Sequence, residues 1–448
     1  MIRLYVIYYI LVSILSYFFP LKKSKLYYSG KNLLSPSFRI KNRDRENIFS
    51  IFKITASTIK AYFSNRIYFH ERNKYSNNLI YDGKLKNPKM RIDYVRYHSG
   101  NDVKGVLAKD TIIGYLGINT LIGDSFQIML LTLCLFPAYL LLVKKRGVIA
   151  LAIKQSLEIH RLLKFCQKNT IKTIYFFCIY QNDSNITALL LQKFKISVIK
   201  IASEVPLVFW NKIIICDCLC ICNAYQYDEI KYFNQSMFFR NTAFWGPESM
   251  LHIMSKYIDT NSQSTPNVIG FYSTGGWIRE LEGEMDQGVN MIKNEHIVKK
   301  YIAAYLKHNT KKLKLIIFLH PNEKNKKYEV DVKKHYNIYF SNINYSYNKP
   351  TENTANSFEK TNLAIAFNST IIYERLYFGF KCLLMPLHIE NFPLENSTLK
   401  NICAFNKEEF FNKLEKNLNY TEEEYFKINK LENYTYHFSQ QSKDDVIN

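Results

Sequence analysis

Three short stretches carry residue types suited to holding an anion. Leu313–Pro321, LKLIIFLHP, is an apolar run that stops abruptly at His320-Pro321. Asn368–Glu374, NSTIIYE, follows a second apolar run, Leu363–Phe367, and puts Ser369 and Thr370 where a helix would begin. Gly270–Arg279, GFYSTGGWIR, leaves a third run through Gly275 and Gly276. An imidazole at a strand end, and hydroxyls between a strand and a helix, suit an anion site at the carboxyl edge of a parallel sheet. Gly275 and Gly276 permit positive φ and close backbone approach, so that amides can face the anion. Ser369 and Thr370 can donate to phosphate with the helix dipole assisting, and Asn368 stands beside them. His320, followed by the rigid Pro321, can contact a phosphate and offer a proton to a leaving group. Arg279 can add a bidentate contact. Glu280, Glu282 and Asp286 offer carboxylates for deprotonating an acceptor hydroxyl, and Glu374 follows one helical turn beyond Thr370. Singly, each has a plainer role: Ser-Thr caps helices, Gly-Gly marks turns, and acidic runs are usually solvated. What joins them is position at successive strand ends of one domain.

The elements that must position these loops read as two α/β halves. In the first, Ile149–Lys168 has helical periodicity, Thr173–Tyr180 reads as a buried strand, and Asn185–Lys193 reads as a helix. Ile196–Ala202 and Ile213–Cys222 read as two further strands. Unbroken apolar runs alternating with helices predict buried parallel strands in a doubly wound sheet. Tyr257–Asn267 is polar and reads as a linker. The second half predicts strands at Val268–Ser273, Leu313–His320, Ile338–Phe340, Leu363–Phe367 and Cys382–Met385. It predicts helices across Asn290–His308, Tyr328–His335, Thr370–Phe378 and Lys407–Lys416. The expected division is therefore a basic N-terminal module over residues 1–123, a first Rossmann-like domain over 124–257 and a second over 266–435. The domains would face a cleft, the usual place for a small molecule.

Composition narrows the class. The chain has 448 residues, 47% of them hydrophobic, with 34 Tyr and 31 Phe, which excludes disordered and fibrous classes. The formal charge is +22, and between Lys22 and Lys109 there are 20 Lys and Arg against 6 Asp and Glu, a local excess of 14. That basic stretch lies between two apolar ones, Leu4–Pro20 and Phe126–Val143. The arrangement suits an anionic membrane surface better than a nucleic-acid groove, and no nucleic-acid-binding signature is present. Leu4–Pro20, followed by Lys22-Lys23-Ser24-Lys25, reads as a membrane-associated segment with the rest of the chain on the cytoplasmic side. Phe126–Val143, interrupted by Pro137, reads as a core or interfacial helix. Cys216, Cys218, Cys220 and Cys222 alternate as small buried strand residues rather than as converging zinc ligands.

His-Pro after one strand, then Ser-Thr after a later strand and before a helix, resembles bacterial GT-B glycosyltransferases that use CMP-activated sugars. The capsular polysialyltransferases and related sialyl- and Kdo-transferases are of this type, and the resemblance covers about Ser203–Lys416. It implies that His320 contacts the donor phosphate and assists nucleotide departure. Ser369 and Thr370 would bind the phosphate or the sugar carboxylate, and Glu374 would reach the ribose. It also implies metal-independent transfer without a cofactor, from a nucleotide-sugar donor to a glycan or lipid-linked acceptor at the cytoplasmic face of the inner membrane. The family's acidic base motif, two acids then Gly, has only partial matches at Leu281-Glu282-Gly283 and Asp286-Gln287-Gly288. A CDP-polyol phosphotransferase of teichoic-acid type has similar parts, and a non-catalytic membrane adaptor on the same scaffold is the alternative from another class.

Overall fold

The structure is a computed structural model. It describes residues 2–18, 76–82, 88–108, 112, 116, 119–141, 146–177, 183–202, 214–222, 226, 237–247, 250–257, 264–283, 289–309, 312–349, 352–367, 369–387 and 398–436. The first half opens with helix α1 (Ile2–Phe18), strand β1 (Asn78–Asp82), helix α2 (Pro88–Ser99) and strand β2 (Val103–Ala108). Two long helices follow, α3 (Asn119–Leu141) and α4 (Arg146–Lys168). Then come β3 (Thr173–Phe176), α5 (Asp183–Lys193), β4 (Ser197–Ile201), β5 (Ile214–Ile215), β6 (Cys218–Ile221), β7 (Met237–Phe238) and β8 (Asn241–Phe244). Helix α6 (Met250–Tyr257) leads into the second half.

The second half contains β9 (Val268–Tyr272), α7 (Gly276–Leu281), α8 (Val289–His308), β10 (Lys314–Phe318), α9 (Glu329–Phe340), β11 (Tyr345–Tyr347) and β12 (Leu363–Ala366). It closes with α10 (Thr370–Tyr377), β13 (Cys382–Leu384), α11 (Lys407–Asn419) and α12 (Glu422–Asn429). Among the described residues two large all-parallel sheets result. One runs β2-β1-β3-β4-β6-β8 and the other β11-β10-β9-β12-β13. Counted within its own half, the second sheet has the order 3-2-1-4-5, the doubly wound Rossmann order. Its central strand is apolar on both faces, with every residue from Val268 to Tyr272 buried, as a parallel strand covered by helices must be. The fold is thus α/β with two parallel-sheet Rossmann-like domains, a GT-B-like architecture.

Several expectations need correction. The boundary at residue 123 does not separate a basic module, because β1 and β2 pair in parallel into the same sheet as β3. Short strands flanked by charge, NLIYD and VKGVLA, carry too little apolar length to announce themselves. Residues 338–340 are not a strand but the last turn of α9. Tyr336 and Phe340 are buried four residues apart while Ile338 faces solvent, a helical period that three residues are too few to show. Ile213–Cys222 is not one strand either: β5 pairs with β7 in a small separate sheet, and β6 belongs to the large one. Leu4–Pro20, expected at the membrane, is described to Phe18 as helix α1, whose Val6, Ile7, Ile10 and Ile14 enter the first domain's core. Among the described residues no helix is long and apolar enough to cross a membrane.

One buried cation fastens the second sheet to α10. Arg375 is fully buried. Its Nε donates to the Lys381 carbonyl at 3.1 Å and its Nη2 to the Thr361 carbonyl at 2.7 Å. Its Nη1 donates to the Phe358 carbonyl at 2.5 Å and to the Tyr272 hydroxyl at 3.4 Å. Removing the guanidinium would strand several buried acceptors, each costing about 1–3 kcal/mol. Arg375→Met is therefore expected to lower the unfolding free energy by at least about 3 kcal/mol, read from denaturant titration.

Candidate active site at the carboxyl edge of the second sheet

In the 3-2-1-4-5 order, β9 lies between β10 and β12, and the direction of winding reverses between β9 and β12. The crevice at that reversal, beyond the carboxyl ends, is where doubly wound sheets hold ligands. Register fixes the neighbours: Tyr272 pairs with Phe318 on one side and with Ala366 on the other. The loops carrying Gly275, His320 and Ser369 therefore all leave the same edge.

The first two loops touch. Gly275 has φ 65° and ψ 17° and caps α7. A Cβ built on it would lie 2.9 Å from His320 Nδ1 and 3.0 Å from its Cβ and Cγ. Only a residue without a side chain, free to take positive φ, lets the imidazole pack there. His320 Nδ1 accepts the Asn322 amide at 3.2 Å, so in the neutral ring the proton sits on Nε2. Burial pushes the imidazole below its ordinary value, the charge of Glu295 opposes that shift and the charge of exposed Arg279 adds to it. Arg279 thus places a positive charge near a neutral, hydrogen-donating His320. Pro321, exposed, follows directly and starts the turn in which the Glu323 amide donates to the His320 carbonyl at 2.9 Å.

On the other side of β9, Ser369 occupies the N-cap of α10 with extended backbone, φ −150° and ψ 137°, and its hydroxyl makes no cap hydrogen bond. Ser369 and Thr370 are both half-exposed. Glu374, one turn on, is half-exposed; after burial, its charge is what pushes the thiol of Cys222, which directly follows β6, upward. The second half also meets α6 where the Met250 sulfur receives the Tyr377 hydroxyl at 3.2 Å.

Other expected site residues are placed differently. Glu280 lies on the exposed side of α7, paired with His296 Nε2 of α8 at 3.1 Å. Glu282 is engaged by Lys327 at 3.3 Å and by the Tyr328 hydroxyl, which holds its carboxyl below the usual range. Gly276, half-exposed, donates its amide to Thr274 Oγ1 at 3.3 Å. Asp286 and Asn368 lie outside the described residues.

What sequence reading did not find is a buried polar cluster beneath the loops. Glu295 accepts from the Ser273 hydroxyl at 3.2 Å, from the Thr274 amide at 3.2 Å and from the Thr274 hydroxyl. Glu323 accepts from the His320 amide at 2.6 Å, from Tyr336 at 2.8 Å and from the Trp277 indole. Burial, reinforced by Glu295, holds the Glu323 carboxyl above its usual range. Lys299 lies 3.6 Å from Glu295 and donates to His335 Nε2 at 2.6 Å, while His335 stacks on Trp277 with centroids 4.3 Å apart. A signal existed: Glu295 and Lys299 are spaced i, i+4 on the helix face that carries Ile292, Val298 and Ile302. A charged pair on a core-facing stripe marks a buried network.

No protein-family model and no curated protein matches the chain. Among solved structures, MurG of Acinetobacter baumannii is similar at 12% identity, covering 66% of this chain and 78% of that one with TM-score 0.40. A UDP-GlcNAc 2-epimerase of Methanocaldococcus jannaschii is similar at 10% identity, covering 77% and 92% with TM-score 0.43. S. aureus MnaA, in a structure with UDP, is similar at 10% identity, covering 81% and 93% with TM-score 0.45. The fold assignment above stands on the strand orders themselves.

The cluster makes a stability prediction. Burial, and then the charge of Lys299, push His335 from 6.5 down to about 2. The unfolded chain therefore takes up this proton first, and the stability that His335 provides is full above its ordinary value and fades as pH falls toward about 2. His335→Gln is expected to flatten the fall of melting temperature between neutral and acid pH.

Proposed function

We propose that the protein is a nucleotide-sugar-dependent glycosyltransferase. The observation that supports this best is the seating of His320 against Gly275 at the winding reversal, flanked by Ser369 and Thr370 at the start of α10. For this chemistry the Nε2–H donor, the glycine-loop backbone, a hydroxyl not spent on capping and the Arg279 charge, which leave one sheet edge, must meet at one anion. A nucleoside monophosphate or diphosphate leaving group is stabilised by such donors as its negative charge develops. His320 would meet the donor phosphate, with Pro321 fixing its turn. Ser369, Thr370 and Asn368 would hold the phosphate or sugar carboxylate, and Glu374 would reach the ribose. The acceptor hydroxyl would lose its proton to a carboxylate of the 280–286 segment, Glu280 or Asp286. In the favoured reading the donor is a CMP-sugar and the acceptor a surface polysaccharide or lipo-oligosaccharide at the cytoplasmic membrane face. Neither a metal nor a cofactor enters this scheme.

Two measurements test it. His320→Ala should lower kcat/KM for release of CMP from a CMP-sugar by about 10²–10³-fold, in line with loss of a preorganised hydrogen-bond donor to a developing negative charge. Undiminished turnover would remove the assignment, and release of CMP from CDP-glycerol instead would move the chemistry to polyol-phosphate transfer. Protonation at Nδ1 would break the bond from the Asn322 amide that orients the ring, and because burial depresses the His320 pKa, the acid limb of kcat/KM should fall below the ordinary histidine value of 6.5. An acid limb above that value would mean that another group governs.

A further inference from the structure

Helix α3 is apolar on its outer face as well as on its inner one. Its large exposed side chains are Ile122, Phe126, Met129, Leu133 and Phe136, with exposures from 44% (Phe136) to 77% (Ile122). The spacing of four, three, four and three residues confines them to a sector of roughly 80° at about 100° per residue. The helix's charged residue, Asp124, is instead on the inner face and fully buried. It accepts Arg161 Nε at 2.8 Å and lies 3.4 Å from Arg3 Nη2 of α1 and 3.5 Å from His160 Nδ1. Burial keeps that imidazole below its ordinary value despite the carboxylate. Gln127 on the same inner face donates to the Ser156 hydroxyl at 2.5 Å. Gly123 lets Arg3 through: a Cβ there would come within 1.7 Å of the guanidinium. The inner face combines Asp124 and Gln127 with the core residues Ile128, Leu131 and Leu135, while the outer stripe is uncharged and apolar. Leu4 and Tyr8 of α1, which packs on α3, extend the exposed apolar area.

We propose that this stripe is a membrane-contact surface: α3 lies flat at the boundary between headgroups and acyl chains of an anionic bilayer, as an interfacial helix that does not span. The described stripe runs from residue 122 to 136, about 21 Å along the axis at 1.5 Å per residue, short of the roughly 30 Å hydrocarbon thickness. Cations bracket the two helices in sequence, with Lys22, Lys23 and Lys25 after α1 and Lys144, Lys145 and Arg146 after α3. An apolar face bracketed by like positive charge on a chain of net +22 is complementary to anionic lipid, and repels a second copy of itself. The inference rests on the membrane-face reading above and names the element that makes the contact, which is α3 rather than the segment from Leu4 to Pro20.

The test is co-sedimentation of the full chain with phosphatidylcholine vesicles, with and without phosphatidylglycerol. The wild-type chain should bind the phosphatidylglycerol vesicles, and Leu133→Glu and Met129→Glu should each weaken binding at least about tenfold, since each loses a buried apolar side chain. Both positions are exposed, so melting temperatures should stay unchanged. Ile338→Glu, at an equally exposed apolar residue of the second domain, should bind as wild type does. Wild-type binding by the Met129 and Leu133 variants, or no binding by the wild-type chain, would overturn the proposal. So would a concentration-dependent dimer that Leu133→Glu dissolves, which would assign the stripe to a second copy. Nucleotide-induced thermal shifts, measured in parallel, report on the glycosyltransferase reading separately, because no stripe residue belongs to the candidate site.

Discussion

Two carboxylates withdrawn almost wholly from water set the geometry of the second domain's working edge. Glu295 and Glu323 would each be costly to bury alone. Their compensation comes from the loops themselves: the Ser273 and Thr274 hydroxyls, the Thr274 amide, the His320 amide, the Trp277 indole and the Tyr336 hydroxyl. Lys299 is the cation that meets Glu295. Neither the loop after β9 nor the loop after β10 can shift without leaving a buried charge short of donors. The imidazole is consequently held still before any ligand arrives, which is what electrostatic stabilisation of a developing charge requires.

The strand order does the rest of the positioning. Putting β9 in the centre brings loops from residues near 275, 320 and 369 to one edge, although successive loops are 45 and 49 residues apart in sequence. Arg375 then ties α10, and with it the Ser369 cap, to the ends of β9 and β12. The first domain is organised on different terms. Its core takes in α1 and the inward half of α3, and its ion pairs around Asp124 are inside that helical layer rather than at the sheet edge.

Legibility in the sequence followed burial. Strands covered on both faces, such as Val268–Tyr272 and Leu363–Ala366, are unbroken apolar runs and could be read within a residue or two. The loops at their ends were readable for the same reason, since a polar residue after such a run is conspicuous. Hydrophobicity alone did not say what covers an apolar segment, so α1 looked like a membrane element although most of its apolar side chains pack within the protein. The segment from Ile338 to Phe340 looked like a strand because three residues are too few to show a period. The Glu295–Glu323–Lys299 cluster was harder still. Its members come from α8 and from the loop after β10, and only tertiary contact reveals that they satisfy one another.

Arg375 carries an implication for how the chain assembles during synthesis. Its acceptors lie at Tyr272, Phe358, Thr361 and Lys381, so they span more than a hundred residues of sequence. A ribosome-borne fragment that ends before Lys381 has a cation with no complete set of carbonyls to enter. The full set of acceptors that lets the guanidinium be buried therefore exists only once Lys381, next to β13, has been made.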